Sequence, residues 1–115
     1  MKPVTVLVIA EGPEATLLRA ALARCEVRVA ESSAERSVAL AIAGAKALSE
    51  SPDELVKRLE PRRIEVVGIA VGLSPKARKR ALAAGVREIH ERPRNWRPYL
   101  ELVESVVERF ARKKA

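Results

Sequence analysis

Residues 4–10 read VTVLVIA, a short run that is almost wholly apolar and rich in β-branched side chains. Such a run is the pattern of a strand buried on both faces, which places it in the middle of a sheet with further layers above and below. It breaks at Glu11-Gly12-Pro13, where Gly12 permits the turn, Pro13 suits the first helical position and Glu14 opposes the positive helix end. A helix is predicted from Pro13 to about Ala23, with Ala15, Leu18, Ala21 and Leu22 at the spacing of one buried stripe. Next comes EVRVA, residues 26–30, whose Val27 and Val29 alternate with Glu26 and Arg28, the period of a strand near a sheet edge.

Residues 31–48 fit two readings. Ser32-Ser33-Ala34-Glu35 has the form of a capping box, whereas VALAIA, residues 38–43, suits either a helix or a buried strand. The reading adopted is a helical turn or two over Ser33–Ser37, then a buried strand Val38–Ala43 ended by Gly44. One helix from Ser33 to Ala47 is the alternative. After a linker, Ala47–Ser51, Pro52-Asp53-Glu54 starts a helix with Leu55, Val56 and Leu59 inward, and Pro61 ends it. Residues 64–71, IEVVGIAV, form the next buried strand. Ser74 then caps and Pro75 opens a helix that stops at Gly85. A short last strand, Val86–His90, precedes a terminal helix from Pro98 to about Arg112 with Tyr99, Val103, Val106 and Phe110 in one stripe, and Lys113–Ala115 are expected to fray.

Strands alternating with helices through short connections imply parallel strands and right-handed crossovers. The expected fold is therefore a doubly wound, flavodoxin-like α/β domain of three layers, with a mostly parallel sheet of about five strands. At 115 residues and 12.6 kDa the chain has room for one such domain, spanning 1–115. Its 48% apolar and 32% charged residues are those of a folded chain. No apolar run approaches the roughly 18 residues of a membrane span, and Glu11 follows the first apolar stretch where a signal peptide would need a small-residue cleavage site. A cytoplasmic protein is expected. One cysteine, Cys25, and one histidine, His90, exclude an internal disulfide and leave no zinc cluster. The absence of Gln, with single Asn, Met and Cys residues, is the depletion of thermolabile residues expected of a thermophile.

The net charge of +7 is unevenly placed. Residues 1–60 carry 8 basic against 9 acidic side chains, and residues 61–115 carry 14 against 6. Such asymmetry fits a polyanionic partner, and it equally fits solvated Arg-rich helix faces.

In open sheets of this kind ligands meet the carboxyl ends of the strands, so the residues there hold most interest. VLVIAEGPEATLLRAAL resembles the first strand and helix of response-regulator receiver domains, in which an acidic pair follows the strand. AAGVREIHERP, followed by an amphipathic helix, is similar to the receiver segment in which Ala-Ala-Gly closes the fourth helix and a Lys-Pro pair with a cis peptide closes the fifth strand. The likeness covers nearly the whole chain. Residue by residue it implies a degenerate domain, a pseudo-receiver. The family's magnesium-binding acidic pair falls on Ala10 and Glu11, its phosphoacceptor Asp on Ala43 or Gly44, its Ser/Thr on Ala70 and its Lys on Arg92. Phosphoryl transfer to Asp needs a nucleophilic carboxylate and oxygen ligands for an octahedral magnesium. These positions offer at most one carboxylate, so no cofactor, metal or catalytic residue is expected. The segment Ala30–Ala43 is also too short for the family's full second helix plus a strand.

Other candidates are weaker. Val71-Gly72-Leu73-Ser74-Pro75 leads into a helix N-terminus suited to an anion, without a GxGxxG or GxxxxGK[ST] motif. His90 lies near Glu88 and Glu91 but lacks a nucleophile or metal partner in the pattern. Arg92-Pro93-Arg94-Asn95-Trp96-Arg97-Pro98-Tyr99 places Arg beside Trp, the composition of interface anchors and of base-stacking platforms. In receiver-like proteins the fourth helix, fifth strand and fifth helix form the usual face for partners. Here that face would hold Lys76, Arg78, Lys79, Arg80, Arg87, Arg94, Trp96, Arg97 and Tyr99. The expectation is a non-enzymatic, phosphorylation-independent module that signals by docking a protein partner or a second copy. A nucleic-acid-binding accessory protein using the same basic face is the alternative.

Overall fold

The computed structural model describes residues 4–30 and 38–112. The expected helical turn at Ser33–Ser37 and the frayed end Lys113–Ala115 lie outside the described residues. Five strands, β1 (Thr5–Ile9), β2 (Arg28–Ala30), β3 (Val38–Ala43), β4 (Glu65–Ala70) and β5 (Glu88–Glu91), form one parallel sheet in the order β2-β1-β3-β4-β5. VALAIA is therefore strand, and the single helix over Ser33–Ala47 is overturned.

The helices are α1 (Gly12–Arg24), α2 (Ala45–Glu50), α3 (Pro52–Leu59), α4 (Pro75–Ala84) and α5 (Trp96–Val107), the last continuing as a wider turn over Glu108–Arg112. Because successive strand residues point to opposite faces, the sheet feeds two apolar layers. Val6, Leu40, Ile42, Val67 and Ile69 pack with Leu18 and Leu22 of α1 and Val103 and Val106 of α5. Leu7, Ala41, Ala43 and Val66 pack with Leu48 of α2, Leu55, Val56 and Leu59 of α3 and Ala81 of α4. The doubly wound architecture follows from that division.

α2 is the element the sequence concealed, since Ala47–Ser51 was expected to be a linker. Gly44 precedes it in an extended conformation and offers no capping side chain. Leu48, wholly buried, fixes the helix on β4, where a Cβ on Gly68 would lie 2.6 Å from Leu48 Cδ1. β2 is shorter than expected and pairs only with Thr5–Leu7. A groove of about 530 Å³ lies between β1 and the helices α2 and α3, lined by Leu7, Ile9, Glu11, Lys46, Ala47 and Arg58 among others. The other sheet edge, β5, is four residues long and charged, a composition that discourages strand addition.

Candidate functional site

The sheet brings the strand ends together. Ile9 pairs with Ala43, Ala43 with Gly68 and Ala70 with Glu91. The Gly44 amide donates to the Ile9 carbonyl at 2.9 Å, and the Arg92 amide to the Ala70 carbonyl at 3.0 Å. Ala10, Glu11, Gly44, Ala70 and Arg92 thus surround one end of the sheet. Ala43, Gly44 and Ala70 are buried and carry no functional group, while Arg92 is half-buried. No cis peptide bond occurs among the described residues, so Arg92–Pro93 departs from the receiver pattern in isomer as well as in its first residue.

Carboxylates do line this end, but each has an internal partner. Glu11 Oε2 lies 3.1 Å from Lys46 Nζ in an exposed ion pair, and that hydrogen bond raises the lysine's pKa. Glu91 accepts from the Gly72 amide at 3.3 Å and lies 4.0 Å from Arg78. Glu14, read in the sequence only as a charge favourable to its own helix, reaches across to α2, and both its oxygens accept from the Ala45 amide, at 3.2 and 3.3 Å. The clue to this role was indirect: a helix-forming stretch, AKALSE, stands behind a glycine that cannot cap it. Among the described residues no group of three His, Cys, Asp or Glu side chains is placed to hold a metal ion.

The Gly72–Pro75 turn uses its polar groups internally as well. Ser74 Oγ accepts from the Ala77 amide at 3.1 Å, capping α4, and Glu91 takes the Gly72 amide. His90 Nε2 lies 2.8 Å from Glu88 Oε1, and Arg109 donates to both Glu88 oxygens at 2.6 and 2.8 Å. The Arg109 hydrogen bond holds the Glu88 carboxyl below its ordinary range, opposed by partial burial and reinforced by His90. This arrangement ties β5 to the end of α5.

The basic residues divide into two groups. Arg78 donates to the Ile89 carbonyl at 3.2 Å, Arg80 pairs with Asp53 at 3.5 Å, and Arg87 pairs with Glu65 at 3.5 Å. Lys76, Lys79, Arg94 and Arg97 are exposed and have no ion pair among the described residues. Among the described residues the exposed large apolar ones are Val71 at 48%, Leu82 at 45% and Trp96 at 41%, all between the end of β4 and the start of α5. Leu82 follows Arg78 by one helical turn, on the side of α4 toward β5. Tyr99 departs from its expected place on the contact surface. It is 2% exposed within the α1–α5 layer, and its ring lies 6.1 Å from that of Trp96 at a tilt of 41°. Burial pushes the Tyr99 phenol up to about 12, with Arg92 opposing and Glu14 reinforcing that rise.

A parallel sheet in this strand order with helices on both faces is the receiver fold, a flavodoxin-like architecture. Solved receiver structures share it across nearly the whole chain. A response regulator from Thermotoga maritima is 16% identical with a TM-score of 0.66, covering 94% of this chain and 99% of that one. The phosphorylated cyanobacterial phytochrome response regulator RcpA is 13% identical with a TM-score of 0.70, covering 93% of each. A CheY-like protein, tadZ, from Pseudomonas aeruginosa is 20% identical with a TM-score of 0.61, covering 92% of this chain and 94% of that one. At these identities the likeness is one of fold. No protein-family model matches the sequence, and no curated protein matches it.

Proposed function

We propose that this chain is a receiver-like signalling module that works without phosphorylation, docking a protein partner or a second copy through the face formed by α4, β5 and α5. The observation that carries this reading is that the exposed large apolar residues among those described, Val71, Leu82 and Trp96, all lie between the end of β4 and the start of α5. Trp and Arg are the side chains from which interface hot spots are most often built, and Arg94 and Arg97 flank Trp96 in sequence. Lys76, Lys79, Arg94 and Arg97, without an ion pair among the described residues, give the face a positive rim, so a partner bearing acidic residues around an apolar centre fits it best.

Trp96→Ala is expected to weaken self-association or partner binding by more than about 1 kcal/mol, with a small salt dependence from the apolar part. Sedimentation of the wild type and the variant at low and high salt checks the dimer form. A strict monomer at the highest soluble concentration removes self-association and leaves an external partner. Arginine beside an exposed tryptophan also suits nucleic acid, and salt discriminates. Binding of a single-stranded oligonucleotide that persists near physiological salt, falls with a slope of about −0.7 per phosphate contacted and is abolished by charge reversal at Arg94 and Arg97 would replace protein docking with the nucleic-acid reading.

A further inference from the structure

Glu14 and Gly44 occupy one volume between them. A Cβ built on Gly44 would fall within the Glu14 carboxylate and would lie 3.1 Å from Ala10 Cβ. Gly44 has an ordinary extended backbone, φ −92° and ψ −174°, which any residue adopts. Backbone freedom therefore does not call for glycine here, and the neighbouring carboxylate does. That carboxylate caps α2 from 31 residues away and places a negative charge at its positive end. α2 in turn is seated on β4 through Leu48 over Gly68 and packs against α4. A continuous packed path thus runs from the first turn of α1, through one side chain, to the helix bearing Lys76, Lys79 and Leu82.

We propose that Glu14 is a resident latch: its carboxylate takes the place of a side chain at position 44, holds the β3–α2 turn in one arrangement and positions α4 through α2. The turn then needs no ligand or covalent group to order it. Only the consequence for docking rests on the function proposed above. The latch itself is a statement about Glu14, Gly44, α2 and α4, and can fail or stand independently.

Four proteins test it: wild type, Gly44→Ala, Glu14→Ala and the double variant, with Glu14→Gln as the conservative comparison. Gly44→Ala is expected to lower the unfolding midpoint by several degrees in the wild type and to shift it by less than one degree in the Glu14→Ala background, a strong non-additivity of contacting residues. If Gly44→Ala does not fold, recovery of folding in the double variant is the equivalent positive result, and failure of both overturns the latch. Hydrogen exchange at the Ala45 amide should accelerate at least tenfold in Glu14→Ala and remain near wild type in Glu14→Gln, which keeps an acceptor oxygen. Amide shifts in α4, at Ala77–Arg80, should move in Glu14→Ala and return in Glu14→Gln. Additive midpoints, or unchanged exchange at Ala45, would overturn the latch, and unmoved α4 amides would overturn its positioning of that helix.

Discussion

Single side chains at the strand ends show how far residue types alone can be taken. Ala43, Gly44 and Ala70 are legible from sequence as positions without a functional group, because residue type alone decides that. The role of Glu14 was not legible, because it depends on a partner distant in sequence, whereas Tyr99 was read both in the apolar stripe of the last helix and on the contact face, and only the first reading holds. Tyr99 is the sole tyrosine, so its phenolate absorbance reports one group. Burial favours the neutral phenol, raising its pKa from the ordinary 10 to about 12. The folded protein thus retains a proton that the unfolded chain loses near pH 10, and this group's contribution to stability is intact below that pH and falls as pH rises from about 10 to 12. Spectrophotometric titration should give a midpoint near 12 in the folded protein and near 10 in urea. Arg92→Ala should move the folded value further up, since the guanidinium favours the phenolate. A folded midpoint near 10 would show that the hydroxyl is solvated.

Among the elements, strands announced themselves through runs of Val, Ile and Leu, and most helices through Pro at the first turn and a periodic apolar stripe. Boundaries shifted where closing hydrogen bonds intervene. Val27, Ile64 and Val86 each donate an amide to a carbonyl five residues back, on Leu22, Leu59 and Ala81, which delays β2, β4 and β5. The residue just before each of these has positive φ: Glu26 at 57°, Arg63 at 58° and Gly85 at 120°. The same helix-closing motif therefore ends three helical segments, once with its preferred glycine and twice with side chains that pay a steric penalty. Glu26→Gly and Arg63→Gly should each stabilise the protein, by about 0.5–1 kcal/mol, after the lost steric cost is set against the added chain entropy of glycine. Gly85→Ala should destabilise it by about 1–3 kcal/mol, because the new Cβ would also lie 2.8 Å from Val56 Cγ1. Urea unfolding of the three variants checks both signs together.

For the molecule as a whole, the chain has the receiver fold, and the proposed independence from phosphorylation turns on what its strand ends offer. Phosphorylation of a carboxylate, and its imitation by beryllofluoride, both require a carboxylate oxygen that can bond to the incoming centre, with a magnesium ion in oxygen coordination beside it. Position 43 is alanine and position 44 glycine, and Glu11, Glu14 and Glu91 are engaged with Lys46, the Ala45 amide, and the Gly72 amide with Arg78. Acetyl phosphate or beryllofluoride with magnesium should therefore leave the amide spectrum unchanged at millimolar concentrations. Diffuse, non-saturating shifts at Lys76, Lys79, Arg94 and Arg97 would reflect anions collecting at an unpaired basic rim and are compatible with a module that docks acidic partners. Saturable, magnesium-dependent shifts centred on Ala10, Gly44 and Ala70 would mean that Glu11 or Glu14 leaves its partner to accept the group, and the domain would then have to be regarded as switchable.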